Sequence, residues 1–385
     1  MSDPTATYID AIQVGMEWLG DGAGSGVARM FHGLYTHLPD RDVTVAGLVT
    51  GSDDMTALPR SLRAFAPASS SVIHRLHHLA VCLRALVEER QPDLVAAHFP
   101  LYALPARTLP SSLPLVVHFH GPWAYESRAE GANLLSFGGK MLVERFVYAR
   151  AQRFIVLSEA FRSILTERYG IPEDRIRIVP GGVDVDRFAP AHEIRTAREG
   201  LGWPLNRPII LSVRRLVRRV GLKTLLSAIP RVIQKVPDVC LLIAGKGPLA
   251  PTLQAFIDEH DLGHHVKLLG FVPDDQLPLA YRAADVSIVP TQALEGFGLV
   301  AVESLAAGTP ALVTPVGGLP EVVRDLSPHL IMDGNDVEAI ARHLIDVLTG
   351  SVSLPSAEAC RSFAVSRYSW PVIARQVRQV YEEVV

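Results

Sequence analysis

Apolar runs of five to seven residues recur along the chain, each followed by a longer stretch whose apolar positions repeat at helical spacing. Such runs predict buried strands, and their alternation with amphipathic helices predicts parallel sheets covered on both faces. In the first half the predicted strands are Tyr8–Val14, Val43–Val49, Asp93–Phe99, Leu115–His120, Arg153–Ser158 and Ile176–Pro180, with helices near 25–38, 71–90, 133–151 and 159–169. In the second half they are Ile209–Val213, Val239–Ala244, Val266–Leu269, Val286–Pro290, Ala311–Thr314 and His329–Met332, with helices near 221–236, 249–261, 275–284, 298–307 and 337–348. One sheet of that many strands would be unusually large. Ala189–Pro204, reading APAHEIRTAREGLGWP, is flanked by Pro and Gly and lacks a clean apolar period, so it is predicted to be a linker. The expected organisation is α/β, with two doubly wound Rossmann-like domains at 1–190 and 191–365 and a terminal segment at 366–385. In that segment Ile373, Val377, Val380, Tyr381 and Val384 share one helical stripe, which predicts a terminal helix packed on another element.

Composition narrows the classes. Of 385 residues, 48% are apolar and 20% charged, enough for packed cores. The 37 basic and 40 acidic residues nearly cancel, which disfavours non-specific nucleic-acid binding. Cys82, Cys240 and Cys360 are far apart and form no C-x-x-C, which fits a reducing compartment. The opening MSDPTATYID has no basic stretch followed by an apolar run, so no signal peptide is expected. No apolar tract approaches the ~20 residues of a membrane span. A cytoplasmic chain is expected, with peripheral contact at the inner membrane surface left open. Ser71–Arg90, with His74, Arg75, His77, His78 and Arg84 beside Ile73, Leu76, Leu79, Val81 and Leu83, reads as a core-packed amphipathic helix or, alternatively, as an interfacial one.

The common mononucleotide motifs are missing. Counting six positions from Gly20, Gly22 or Gly24 lands on Ser25, Val27 or Arg29, so there is no G-x-G-x-x-G, and no Gly-Lys-Ser/Thr triplet occurs. What remains is a glycine loop that opens a helix at Ser25–Arg29 and lets a ligand approach the backbone, or serves as an ordinary strand-to-helix turn. Asp184-Val185-Asp186 has the spacing of a metal-holding D-x-D, but it follows the last strand of the first half, and no metal is expected there. His74, His77, His78, His264 and His265 lack a carboxylate at zinc spacing and read as surface residues.

The densest chemistry lies in Val286–Gly308, VSIVPTQALEGFGLVAVESLAAG. A buried strand feeds a loop with Glu295-Gly296-Phe297-Gly298, and a helix then carries Glu303. The first N–H groups of that helix have no internal partner and carry about +0.5 charge, a fit for a diphosphate. Glu303, just over one turn in, can accept two vicinal hydroxyls of a ribose, while Glu295 lies on the side where a sugar would sit. Among Val302, Ser304 and Leu305 an unpaired Glu303 would cost several kcal/mol, which argues against a merely solvated charge. Arg214, Arg215, Arg218 and Arg219 follow the strand Ile209–Val213, at the edge where open α/β sheets bind ligands, and guanidinium forks match phosphate oxygens. In the first half His118 and His120 share a strand face, and His120 ends that strand.

Glu295–Glu303 resembles the E-x7-E signature of glycosyltransferase family 4, a family of retaining GT-B enzymes. Similar text surrounds it: Arg215-Leu216-Val217 and then Gly221, AGKGPL at 244–249, LLGFVPDDQLPLAYRAADVSIVPT at 268–291 and AAGTPALVTPVGGLPEVV at 306–323. SRYSW at 366–370 resembles the family's return helix, which crosses back onto the first domain. Ser25-Gly26-Val27-Ala28-Arg29 resembles its opening loop, His120 stands where the family has its active-site histidine, and Pro180–Asp184 resembles its interdomain NGVD segment.

The resemblance implies two domains facing a cleft, acceptor on the first and donor on the second. It implies that Glu303 holds the donor ribose, that Glu295 touches the transferred sugar, and that the amides of Phe297, Gly298 and Leu299 face sugar and phosphate. Arg215 would meet the diphosphate, His120 would line the cleft near the sugar, and Gly26 would belong to the substrate-binding loop. The family usually has a lysine where this chain has Val220; either Arg218 or Arg219 would supply that charge, or the site would run with one contact fewer. The implied reaction is retaining transfer from a nucleotide diphosphate sugar to a hydroxyl acceptor, which could be a sugar, a glycolipid or a small molecule, without cofactor, metal or nucleic acid. A phosphorylase, a nucleotide-sugar epimerase and a non-catalytic nucleotide-sugar binder are the alternatives.

Overall fold

The apolar runs form strands, and most of the stretches between them form helices, in the computed structural model, which describes residues 8–19, 24–51, 58–189 and 193–385. The chain divides into two units, one comprising Met1–Gly182 with Trp370–Val385 and the other Val183–Ser369.

The first unit holds β1 (Ile9–Glu17), β2 (Val43–Thr50), β3 (Leu62–Ala66), β4 (Leu94–Ala97), β5 (Leu115–Phe119), β6 (Arg153–Val156) and β7 (Ile176–Ile178). They pair in parallel in the order β3-β2-β1-β4-β5-β6-β7. One face packs Ile12, Val95, Val117 and Phe154 against Leu79, Leu83 and Leu86 of helix Val72–Arg90. Those three are its only buried residues, whereas Ile73 and Val81 stay exposed. The other face meets helix Gly26–His37 and the terminal helix Trp370–Glu382, which pack side by side. The terminal helix buries Trp370, Ile373, Val377, Val380 and Tyr381, each larger apolar side chain contributing about 1.5–3 kcal/mol. Trp370 lies so close to Gly33 that a Cβ there would come within 1.9 Å of its ring. Glu383 adds ion pairs to Arg153 at 2.9 Å and Arg177 at 2.8 Å.

The second unit holds β8 (Ile209–Val213), β9 (Cys240–Ala244), β10 (Val266–Gly270), β11 (Val286–Val289) and β12 (Ala311–Val313), parallel in the order β10-β9-β8-β11-β12. Helices Leu222–Ile233 and Val337–Leu348 pack together beside this sheet.

Four expectations need correction. β3 was not predicted, because LRAFA has no continuous apolar run, yet Leu62, Phe65 and Ala66 are buried at the sheet edge. His329–Met332 is not a strand: Pro328 starts a 3-10 turn there, and Ile331 makes only an isolated bridge to Val313. The expected linker 189–204 contains a helix, Ile194–Leu201, ended by Gly202. Its buried Arg198 concealed the period. That guanidinium bonds Ala283 O at 2.9 Å, Leu205 O at 3.0 Å and Asp285 Oδ2 at 2.7 Å, so a charge occupies a core position. Finally, Ser366–Tyr368 end a helix of the second unit, Ala357–Tyr368; extended Ser369 breaks it, and the terminal element begins at Trp370.

Candidate functional site

In each sheet the strand order reverses direction once, between β1 and β4 in the first unit and between β8 and β11 in the second. The C-terminal strand tips at such a reversal leave a crevice where open α/β sheets bind ligands.

In the second unit Arg214 leaves the tip of β8. Its Nη2 donates to Thr291 Oγ1 at 3.1 Å and to Glu295 Oε2, and Thr291 Oγ1 donates to the same carboxylate at 3.2 Å. The Arg214 and Glu295 side chains are 9% and 14% exposed, so this is a buried ion pair. Burial alone would raise the Glu295 carboxyl; Arg214, aided by Arg219 and Thr291, outweighs burial and holds it below the usual carboxylate range. Leu294, just before it, sits at φ 55°, a left-handed conformation that costs a non-glycine residue about 1–3 kcal/mol. Arg219 Nη1 pins it by bonding Leu294 O at 2.9 Å.

The loop then enters helix Leu299–Ala306 through Gly298 at φ 91°. Only glycine suits this position, since a Cβ would also come within 2.5 Å of Leu319 Cδ2. Gly298 offers no side-chain cap, so the first N–H groups of the helix are left for a ligand or solvent. Glu303 is 6% exposed and accepts from Tyr281 Oη at 3.1 Å. Phe297 packs edge-on against Tyr368 at 5.5 Å, so its side chain belongs to the core. The Arg215 side chain is exposed and makes no hydrogen bond or ion pair among the described residues; its carbonyl accepts from Val217 N at 3.0 Å. Val220 is buried, and Gly221 at φ 81° turns the chain so tightly that a Cβ would meet Pro290 O at 1.9 Å.

In the first unit Gly26 opens helix Gly26–His37, and Ser25 caps it, Oγ accepting from Ala28 N at 3.2 Å. Ser25 N in turn donates to Glu17 Oε1 at the tip of β1, at 3.1 Å. Gly20 and Gly22 lie outside the described residues. His120 follows β5 and lies beside two further histidines, His98 at the tip of β4 and His118 within β5. Burial, followed by repulsion among the rings, holds His98 and His118 well below the usual imidazole range, and burial brings His120 to about 4. All three are neutral at pH 7. Asp184 accepts from Arg187 N at 3.0 Å and so serves as a turn cap.

Beyond His120 a short helix, Trp123–Ala129, is held from behind by fully buried Glu144. Its Oε2 accepts from Ala124 N at 3.3 Å and Tyr169 Oη at 2.9 Å. Burial pushes this carboxyl from 4.5 up to about 7, against those hydrogen bonds. Between these two values the folded chain keeps a proton that the unfolded chain has released, so stability falls as pH rises through the window. At about 1.36 kcal/mol per pH unit the fall is about 3 kcal/mol. Glu144→Gln is expected to flatten it, as read by urea unfolding between pH 4.5 and 8; parallel curves for both proteins would contradict this.

The sequence marks Arg214 as a charge but not as the partner of Glu295, and it places Tyr381 on the packed stripe of the terminal helix but not beside His118, whose Nε2 lies 3.0 Å from Tyr381 Oη; His98 is absent from the expected site. A signal for His98 was available: β4 and β5 both run out through His-Phe, at His98-Phe99 and His118-Phe119.

Residues 193–366 match the family model described as glycosyl transferases group 1, and residues 24–187 match that described as Glycosyltransferase Family 4. A phosphatidyl-myo-inositol mannosyltransferase of Mycobacterium tuberculosis is 35% identical over 70% of this chain and 68% of its own length. A GDP-mannose-dependent alpha-(1-6)-phosphatidylinositol monomannoside mannosyltransferase of Mycolicibacterium smegmatis is 34% identical over 56% of this chain and 58% of its own length. A D-inositol 3-phosphate glycosyltransferase of Corynebacterium urealyticum is 33% identical over 63% and 59%. The last two are thus matched over less than two thirds of their length. Among solved structures, the sucrose-phosphate synthase of Thermosynechococcus elongatus superposes with a TM-score of 0.81 at 21% identity, covering 98% of this chain and 99% of that one. Anabaena Alr3699/HepE, in complex with UDP and glucose, gives 0.78 at 19% identity, covering 98% and 100%. These likenesses show the fold, two parallel-sheet α/β units of the GT-B type.

Proposed function

Because the chain belongs to glycosyltransferase family 4, we propose that it moves a hexose from a nucleotide diphosphate sugar to a hydroxyl acceptor, with retention at the anomeric carbon. The observation that carries this reading is the reversal point of the second sheet, where Arg214, Glu295, the uncapped helix at Gly298 and buried Glu303 converge. Glu303 holds the donor ribose. The free Arg215 guanidinium and the first N–H groups of helix Leu299–Ala306 receive the diphosphate, and they stabilise the charge that grows on it as the leaving group departs. Glu295, fixed by Arg214, meets the hydroxyls of the sugar. The first unit takes the acceptor, with Gly26 and His120 at its reversal point.

The names of the relatives suggest the finer assignment. Two speak of mannosyl transfer to phosphatidylinositol lipids and one of an inositol phosphate, so mannose from GDP-mannose to an inositol-bearing acceptor is the favoured pair. Peripheral contact with a lipid surface belongs to this reading. Among the described residues no helix is long and apolar enough to cross a membrane. Helix Leu134–Tyr148, however, exposes Leu134, Leu135, Leu142 and Phe146, and the Arg107 guanidinium lies 3.7 Å over the Phe146 ring.

The test is a screen of GDP-, UDP- and ADP-sugars against inositol acceptors, read by mass spectrometry. Acceptor gaining one hexose supports the proposal. A requirement for inorganic phosphate, or an altered donor sugar without acceptor, would replace it by phosphorolysis or epimerisation. Turnover is expected to survive EDTA, since arginine and helix N–H groups supply the charge at the diphosphate; loss restored by Mg²⁺ or Mn²⁺ would contradict this. Arg215→Ala is expected to weaken nucleoside diphosphate binding about 10- to 150-fold, the worth of a charge-assisted contact of roughly 1.5–3 kcal/mol. Unchanged affinity by calorimetry would show that Arg215 is only surface charge.

A further inference from the structure

The His98 ring lies flat on that of His118, with centroids 4.2 Å apart and planes at 7°, and its Nδ1 is 3.1 Å from His120 Nε2. Its position is fixed from below, because His98 N donates to Val14 O at 2.9 Å and so continues the pairing of β4 with β1. A neutral imidazole has one donor and one acceptor nitrogen. The bond between His98 and His120 therefore needs one ring protonated and the other bare at the atoms that meet.

The second nitrogen of His98 decides which. Nε2 is buried and has no hydrogen-bond partner among the described residues. Buried N–H groups left without a partner are rarer than under-satisfied acceptors, so the bare nitrogen is Nε2 and the proton sits on Nδ1. His120 Nε2 must then be the acceptor, and its own proton must sit on Nδ1. That atom makes no hydrogen bond among the described residues, and His120 is only half-buried. His118 stands apart, since its Nε2 is engaged by Tyr381 Oη, which also receives Gln13 Nε2 at 3.4 Å.

We propose that His98 is a positioning residue: it donates Nδ1–H to His120 Nε2, locks His120 as the Nδ1-protonated tautomer, and makes it present a hydrogen-bond donor, not a base, at the sheet edge. The complementary ligand atom is an oxygen acceptor of the bound substrate, a hydroxyl or phosphate oxygen. This rests on the reading of His120 as a site residue. The competing arrangement points a protonated His98 Nε2 at the Phe31 ring, 5.3 Å away and edge-to-face at 81°, and would reverse both tautomers.

Long-range proton–nitrogen correlation on the full chain labelled with ¹⁵N-histidine reads the tautomers directly in the unaltered protein. Protonation of His120 on Nδ1 is expected; protonation on Nε2 overturns the proposal. Two variants test its use. His98→Asn places an amide donor near the former Nδ1 and is expected to keep the His120 tautomer and to retain kcat within about twofold. His98→Leu removes the donor. Both tautomers of His120 should then appear and kcat should fall about 10-fold, while the affinity for nucleoside diphosphate in the second unit stays unchanged. Melting curves confirm that both variants fold. Equal kcat in the two variants would reduce His98 to packing and overturn the proposal. His120→Ala with undiminished turnover would instead overturn the site reading of His120, and with it any use of the tautomer, while the spectroscopic assignment stood.

Discussion

Arg214→Leu is expected to destabilise the protein by about 3–5 kcal/mol, the usual cost of removing one partner from a buried ion pair. The Glu295 carboxylate would remain among buried groups with Thr291 as its chief remaining partner. In the unaltered protein its carboxyl lies below the usual value, so the stabilisation by the pair is present above about pH 4.5 and is lost as pH falls through the lowered value. Without Arg214, burial is the larger influence and the shift reverses. The stability of the variant should then fall as pH rises past 4.5. Urea unfolding at pH 5 and pH 8 reads both the size and the sign. The double variant Arg214→Leu/Glu295→Leu removes the stranded charge and should recover most of the stability but none of the transfer activity. An Arg214→Leu protein as stable as the unaltered one at both pH values would show that the pair contributes nothing.

Glu303→Gln and Glu295→Gln are expected to fail in different ways. Glu303 is assigned to the ribose, which donor and product share, so its variant should raise the donor KM and weaken the free nucleoside diphosphate. Each lost charge-assisted hydrogen bond is worth about 10- to 150-fold. Glu295 is assigned to the transferred sugar, which the product lacks. Its variant should lower kcat by a similar factor and leave nucleoside diphosphate affinity nearly unchanged, because a contact made mainly in the transition state appears in kcat. Equal loss of nucleotide affinity in both variants, measured by calorimetry, would refute the division of labour between the two carboxylates.

Both reversal points lie where continuous apolar strands alternate with helices, and that pattern was legible in the sequence. The loop from Glu295 to Glu303 was legible as well, because its glycines and carboxylates sit within one strand–loop–helix segment. Helix Ile194–Leu201 was not, because its buried stripe includes Arg198, a charge satisfied by carbonyls and Asp285 that only the folded chain brings near. β3 was hidden by Arg63 and two alanines at a sheet edge, where pairing with β2 does more than its own apolar content. The partners of the site residues were the least legible. Arg214 and Glu295 are 81 positions apart and His98 and His120 are 22 apart, and each pair meets only because adjacent parallel strands bring their tips together.

The central claim is that the second unit holds a nucleotide diphosphate sugar whose hexose passes to a hydroxyl with its anomeric configuration kept. The most direct measurement follows nucleoside diphosphate release and glycosylated acceptor together, starting from GDP-mannose and an inositol-bearing acceptor, and reads the product anomer by proton NMR. One nucleoside diphosphate per glycosylated acceptor, with the α-configuration of the donor retained, is the predicted result. An inverted product, or nucleotide release with no sugar on any acceptor across the donor panel, would contradict it.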